Sequence, residues 1–122
     1  MRILVIDDDP VFSRYLAEVL TDLGHVAEWV TDGLVGFERC LRGVYDLVIC
    51  DVRMPLILGT EIVAELRRDL PDLPIILISA FADDHLATQA HERGAWLLSK
   101  PFDASVLGAA LEQAASAPRL AS

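Results

Sequence analysis

The sequence predicts a doubly wound α/β domain built on a five-stranded parallel sheet, and three observations carry that expectation. Five short apolar runs alternate with five segments of helical periodicity along the 122 residues, the pattern of strand–helix–strand units rather than of hairpins. Their connections are short, with no internal repeat and no break in composition. The run Tyr45-Asp46-Leu47-Val48-Ile49-Cys50-Asp51-Val52-Arg53-Met54-Pro55 has four apolar residues in succession, as a strand covered on both faces requires. That run ends in the carboxylate of Asp51.

The first strand is Ile3-Leu4-Val5-Ile6, ending in Asp7-Asp8-Asp9. Asp9 before Pro10 is a helix cap and first-turn pair. Phe12, Tyr15, Leu16, Val19, Leu20 and Leu23 then form a stripe of period 3.6, stopped by Gly24. A strand over about His25 to Val30 is followed by Thr31-Asp32-Gly33 as turn and cap, and by a helix carrying Phe37 and Leu41 to Gly43. Beyond the central strand, Met54 to Gly59 is a loop. Ile62, Val63, Leu66 and Leu70 mark the third helix, closed by Pro71 and Pro74. Ile75-Ile76-Leu77-Ile78 leads through Ser79 and Ala80-Phe81-Ala82-Asp83-Asp84 to a weakly amphipathic helix ending at Gly94. Trp96-Leu97-Leu98-Ser99 is the last strand and runs into Lys100-Pro101. Asp103 caps a final helix with Val106, Leu107, Ala110, Leu111 and Ala114 inward. The expected domain spans 1–116, and 117–122 is a tail or the start of a linker.

Composition narrows the function. A formal net charge of -9 without any basic run argues against direct nucleic acid binding, which needs clustered Lys and Arg. Apolar runs of strand length and the absence of a signal peptide pattern argue against membrane insertion, so the default address is cytoplasmic. Cys40 and Cys50 have neither redox-pair nor zinc spacing, and His25, His85 and His91 lack metal-ligand spacing.

The chemistry lies in the strand ends. In any doubly wound sheet the crevice opens at the carboxyl ends of the strands, where Asp7, Asp8, Asp51, Ser79 and Lys100 would converge. Three carboxylates together repel and require a cation. An oxygen-only donor set suits a hard divalent ion, Mg²⁺ above all, with Mn²⁺ able to substitute. With Lys100 and the Ser79 hydroxyl, such a site could stabilise a phosphoryl group in flight. Asp51, already ionised, needs no general base to accept it.

As a set, Ile3-Leu4-Val5-Ile6-Asp7-Asp8-Asp9-Pro10, Asp51-Val52-Arg53-Met54-Pro55, Ser79-Ala80 and Lys100-Pro101-Phe102 resemble the receiver domains of two-component response regulators, over Ile3 to about Ala115. The resemblance implies a flavodoxin-like sheet in order 2-1-3-4-5 with helices on both faces. It implies Asp51 as phosphoacceptor, and Asp7, Asp8, Asp51 and the Arg53 backbone carbonyl as metal ligands. Ser79 and Lys100 are then the phosphoryl-binding switch pair, and the bond before Pro101 is cis. The implied partners are a sensor histidine kinase or histidine phosphotransfer protein and a downstream protein target. The resemblance further implies a domain that catalyses its own phosphorylation and dephosphorylation only, as part of a phosphorelay, and is not otherwise an enzyme.

Three departures from the family pattern stand out. Leu58-Gly59 replaces the common Asp-Gly and makes Leu56-Ile57-Leu58 unusually apolar. The switch aromatic falls on Leu97 counted from the lysine or on Trp96 counted from Gly94, because the intervening segment is one residue short. Arg53 and Phe81, each two residues beyond a site residue, occupy positions that in the family tune hydrolysis of the acyl phosphate. The last helix lacks the arginine of a common dimer interface, which favours a monomer or weak dimer. The output face would include His85, Gln89, Arg93 and Glu112. The alternative is a degenerate receiver that binds proteins without being phosphorylated. A haloacid-dehalogenase-type hydrolase wants a second Asp where Arg53 stands, and a flavodoxin-type nucleotide binder would have its phosphate repelled by three aspartates.

Overall fold

A computed structural model describes residues 1–116. Five strands alternate with five helices: β1 (Arg2–Ile6), α1 (Pro10–Asp22), β2 (Val26–Val30), α2 (Gly33–Arg42), β3 (Leu47–Asp51), α3 (Gly59–Asp69), β4 (Ile75–Ser79), α4 (Asp84–Glu92), β5 (Trp96–Ser99) and α5 (Ala104–Ser116). The strands pair in parallel in the order β2-β1-β3-β4-β5. The doubly wound fold and the strand order expected from the sequence are therefore the observed ones.

Strand alternation divides the core into two layers. Leu4, Ile6, Val48, Cys50, Ile75 and Leu77 pack against Cys40 of α2, Ile62, Val63 and Leu66 of α3, and Leu86 and Ala90 of α4. Ile3, Val5, Leu47, Ile49, Ile76 and Ile78 pack against Leu16 and Leu20 of α1 and Leu107, Leu111 and Ala114 of α5. Every residue of β3 and β4 is buried, which is why these two strands read as continuous apolar runs.

The helix stripes need correction at their margins. Tyr15 and Leu23 of the first stripe are exposed, and Ser13 and Ala17 are buried in their place. Cys40 rather than Leu41 faces inward on α2, and on α5 Val106 is 46% exposed. The physical reason is common to all: successive helical residues stand about 100° apart. On α5 the seam is narrow enough that Leu107, Leu111 and Ala114 fill it and turn Val106 to solvent.

Caps follow the expected residues. Asp9 accepts from the Val11 and Phe12 N–H groups, Asp32 from Leu34 and Val35, and Asp103 from Val106. At Leu58 no side chain can cap α3. Glu61 instead reaches back to accept from the Leu58 N–H at 2.9 Å, half of a capping box.

Arg67 on α3 ties the amino-end side of the sheet together. Its guanidinium donates to the carbonyls of Leu70, Pro71 and Leu73 before β4 and of Arg93 and Gly94 after α4. Arg67→Leu is expected to lower stability by about 2 kcal/mol through these stranded carbonyls. Arg67→Lys should recover less than half, because a point charge cannot span five acceptors. Urea midpoints at unchanged slope check both.

Candidate functional site

Parallel register brings the strand ends to one rim. Ile6 pairs with Cys50, so Asp7 and Asp51 follow side by side; Asp51 pairs with Ile78, so Ser79 lies one residue beyond; Ser79 pairs with Ser99, next to Lys100. The Lys100 N–H donates to the Ser79 carbonyl at 2.8 Å, and the Lys100–Pro101 peptide bond is cis.

Asp7 is 1% exposed and Asp51 7%, while Asp8 is exposed. Asp7, Asp8 and Asp51 each offer a carboxylate oxygen, and these oxygens lie within 4.8 Å of one another. Lys100 Nζ is 2.9 Å from Asp7 Oδ2 and 3.7 Å from Asp51 Oδ1. The other Asp7 oxygen accepts from the Asp9 N–H at 3.0 Å, and the Asp7 carbonyl accepts from the buried Ser13 hydroxyl at 2.9 Å. The backbone of the β1–α1 turn thereby holds Asp7 in place.

One ammonium does not balance three acidic groups. Burial first, and then the neighbouring Asp7 charge, push the Asp51 carboxyl up from 3.8 to about 6, against the opposing pull of Lys100. This residual negative charge and the all-oxygen donor set fit a hard divalent cation such as Mg²⁺. Asp7, Asp8 and Asp51 are the side chains that could hold it.

Ser79, 2% exposed, accepts from the Phe81 N–H at 3.0 Å. Beside it opens a groove of about 570 Å³ whose walls include Arg53, Leu58, Thr60, Ser79, Phe81 and His85. The Arg53 guanidinium stacks over the Phe81 ring at 4.9 Å, and both side chains are exposed at the mouth. In the loop after β3, Leu56 is 91% exposed with φ 74°, Leu58 is exposed, and Ile57 is half-buried against Gly33 of α2.

The two switch-aromatic candidates part company. Leu97 packs with the α2–α3–α4 layer, whereas Trp96 lines a groove at the amino rim with Tyr45, Pro74 and Ala114. Of the outer helix positions, His85 and Arg93 of the α4 region and Glu112 of α5 are exposed and Gln89 is half-buried. Two site residues escaped sequence reasoning. Ser13 sits inside an apolar stripe and gives no signal, and Phe12 looks like ordinary core but lies against Lys100, with its ring centroid 4.2 Å from Nζ. No described helix is long and apolar enough to cross a membrane.

Comparison with known proteins agrees with this geometry. The family model described as the response regulator receiver domain matches residues 3–112. The transcriptional activator protein IrlR of Burkholderia pseudomallei is 36% identical over 84% of this chain and 45% of its own length. The transcriptional regulatory protein ZraR of Klebsiella oxytoca is 33% identical over 97% of this chain and 27% of its own length. The chain thus spans less than half of each of these relatives. Among solved structures, the response regulator TrrA of Thermotoga maritima in complex with Mg²⁺-BeF superposes with a TM-score of 0.84 at 32% identity, covering 93% of this chain and 97% of that one. A receiver domain protein from Clostridium thermocellum gives 0.88 at 27% identity, with 93% of each chain covered. The fold, the acidic rim and these matches together show that the chain belongs to the response regulator receiver domain family.

Proposed function

We propose that the chain is a phosphoacceptor receiver whose acceptor is Asp51, taking phosphate from the phosphohistidine of a sensor histidine kinase or histidine phosphotransfer protein in the cytoplasm. The observation that carries this reading is the ammonium of Lys100 bridging Asp7 and Asp51 beside the oxygen-only cluster. An Asp51 oxygen attacks phosphorus, and the P–N bond breaks with its electron pair passing to the leaving imidazole. Lys100 meets the negative phosphoryl oxygens, and the Ser79 hydroxyl turns to donate to one of them. Bound through Asp7, Asp8, Asp51 and the Arg53 carbonyl, Mg²⁺ would supply the positive charge that three carboxylates and a phosphoryl group require.

Closure of Ser79 then biases the surface around α4, β5 and α5, where a downstream protein would bind the chain as a monomer or weak dimer. Leu97, packed in the layer that holds α4, suits the role of following Ser79 better than Trp96, which lines the groove at the opposite rim. The exposed Leu56 and Leu58 favour a second reading, a protein-binding receiver that works without phosphorylation.

Intact mass after incubation with acetyl phosphate and Mg²⁺ separates the two. The expected result is one phosphoryl adduct on wild type and none on Asp51→Asn; an equal adduct on both would place the acceptor elsewhere, and none on either would favour the second reading. Slow decay of that adduct is a further expectation. The Arg53–Phe81 stack at the mouth restricts the attacking water, so Phe81→Glu with Arg53→Asn should speed dephosphorylation by about tenfold, a loss of roughly 1.4 kcal/mol of barrier. An unchanged decay rate would refute that role.

A further inference from the structure

Lys100 has a third contact besides its two carboxylates. The face of Phe12, in the first turn of α1, lies 4.2 Å from Nζ, well inside the range of a cation–π interaction. Phe12 is itself braced on two sides. Tyr15 stacks on it at 6.3 Å and 25°, and Phe102, two residues beyond Lys100, meets it at 6.0 Å and 57°. The ring therefore joins the β1–α1 turn, which carries the acidic pair, to the loop after β5, which carries the lysine.

A lysine is a compact charge on a flexible four-carbon stem. Contacts to Asp7 at 2.9 Å and Asp51 at 3.7 Å leave the ammonium free to swing about the line joining the two carboxylates. A third contact removes that swing. The half-buried ring also displaces water from one side of the ammonium, and a less hydrated cation attracts an incoming anion more strongly.

We propose that Phe12 is a positioning residue for Lys100, its π face holding the ammonium in the place where it meets the transferred phosphoryl group. This rests on the reading of Asp51 as acceptor. An aliphatic residue of similar size would fill the same space without the attraction.

The test separates electrostatics from packing. In the full chain, Phe12 is replaced by phenylalanines bearing one, two and three ring fluorines, which keep the shape and weaken the negative face stepwise. The readout is the rate of phosphoryl adduct formation with acetyl phosphate and Mg²⁺, by intact mass. The expected result is a graded fall reaching about three- to tenfold at three fluorines, the range for a partly buried cation–π contact. Phe12→Leu should fall as far and Phe12→Trp should retain the wild-type rate. In a Lys100→Met background the residual rate should not respond to fluorination. A flat fluorine series with adduct still forming on wild type overturns the role of Phe12 and leaves Asp51 as acceptor, even if Phe12→Leu is slow. Absence of any adduct on wild type overturns both.

Discussion

Gly59→Ala is expected to cost about 3 kcal/mol of stability and to disrupt the acidic cluster at the same time. A Cβ built on Gly59 would stand 2.2 Å from the Asp51 carbonyl oxygen and 2.9 Å from the Val52 Cα. Both are backbone atoms, so no flexible side chain can give way. The Gly59 N–H also donates to the Val52 carbonyl at 2.8 Å, which pins the start of α3 against the end of β3. Accommodating one methyl group therefore means moving the strand end that presents Asp51, with loss of that hydrogen bond in addition to the overlap. Urea denaturation gives the stability, and thermal shift with and without Mg²⁺ reports the cluster. A variant within 0.5 kcal/mol of wild type that still responds fully to Mg²⁺ would show that the β3–α3 junction is softer than its contacts indicate. Substitutions at Leu56 offer the contrast. Its φ of 74° and a side chain that is 91% exposed make Leu56→Gly neutral or mildly stabilising.

Asp51→Asn should act in the opposite direction and stabilise the metal-free protein at neutral pH by up to about 3 kcal/mol. The Asp51 carboxyl titrates near 6 in the folded chain, raised by burial and by Asp7, against 3.8 as its ordinary value. The folded state thus holds this proton more tightly than the unfolded state does. As pH rises from about 4 to 6 the wild type loses stability through this group, and above about 6 the full cost remains. Below about 4 both states are protonated and the cost vanishes. Because other carboxylates titrate in the same range, the informative quantity is the difference between wild type and variant. That difference should be largest above pH 7 and close to zero at pH 4. Saturating Mg²⁺ should narrow or invert it, since a ligand bound only by the folded wild type adds stability by mass action. A gap independent of pH would mean that packing, rather than charge, separates the two proteins.

These two residues mark what could and could not be read along the chain. Asp51 announces itself: a carboxylate after four buried apolar residues is legible wherever strands end in polar chemistry. The role of Gly59 was partly visible as the second half of a Leu-Gly pair, but the 2.2 Å approach that requires glycine there exists only across a folded junction. Phe12 was legible as a helix-stripe residue and illegible as a lysine partner, because its ring meets a side chain 88 positions later. The segment before Lys100 left Leu97 and Trp96 equivalent on counting alone; pairing of Trp96 with Ile76 and of Leu97 with Leu77 puts them on opposite faces.

The sequence by itself determined the alternation of strands and helices, the capping aspartates, the buried character of β3 and β4, and the acids, hydroxyl and lysine of the rim. Each follows from local periodicity or from the chemistry of a single residue, and the family motifs added the strand order. Tertiary structure alone decided which apolar residues at the helix margins were buried, leaving Tyr15, Leu41 and Val106 outside. It also decided that one ammonium would touch two carboxylates and an aromatic face at once. The reason is that periodicity specifies a direction around one element, whereas burial and charge coupling depend on how closely a second element approaches, and that distance is set by the packing of the whole sheet and its two helical layers.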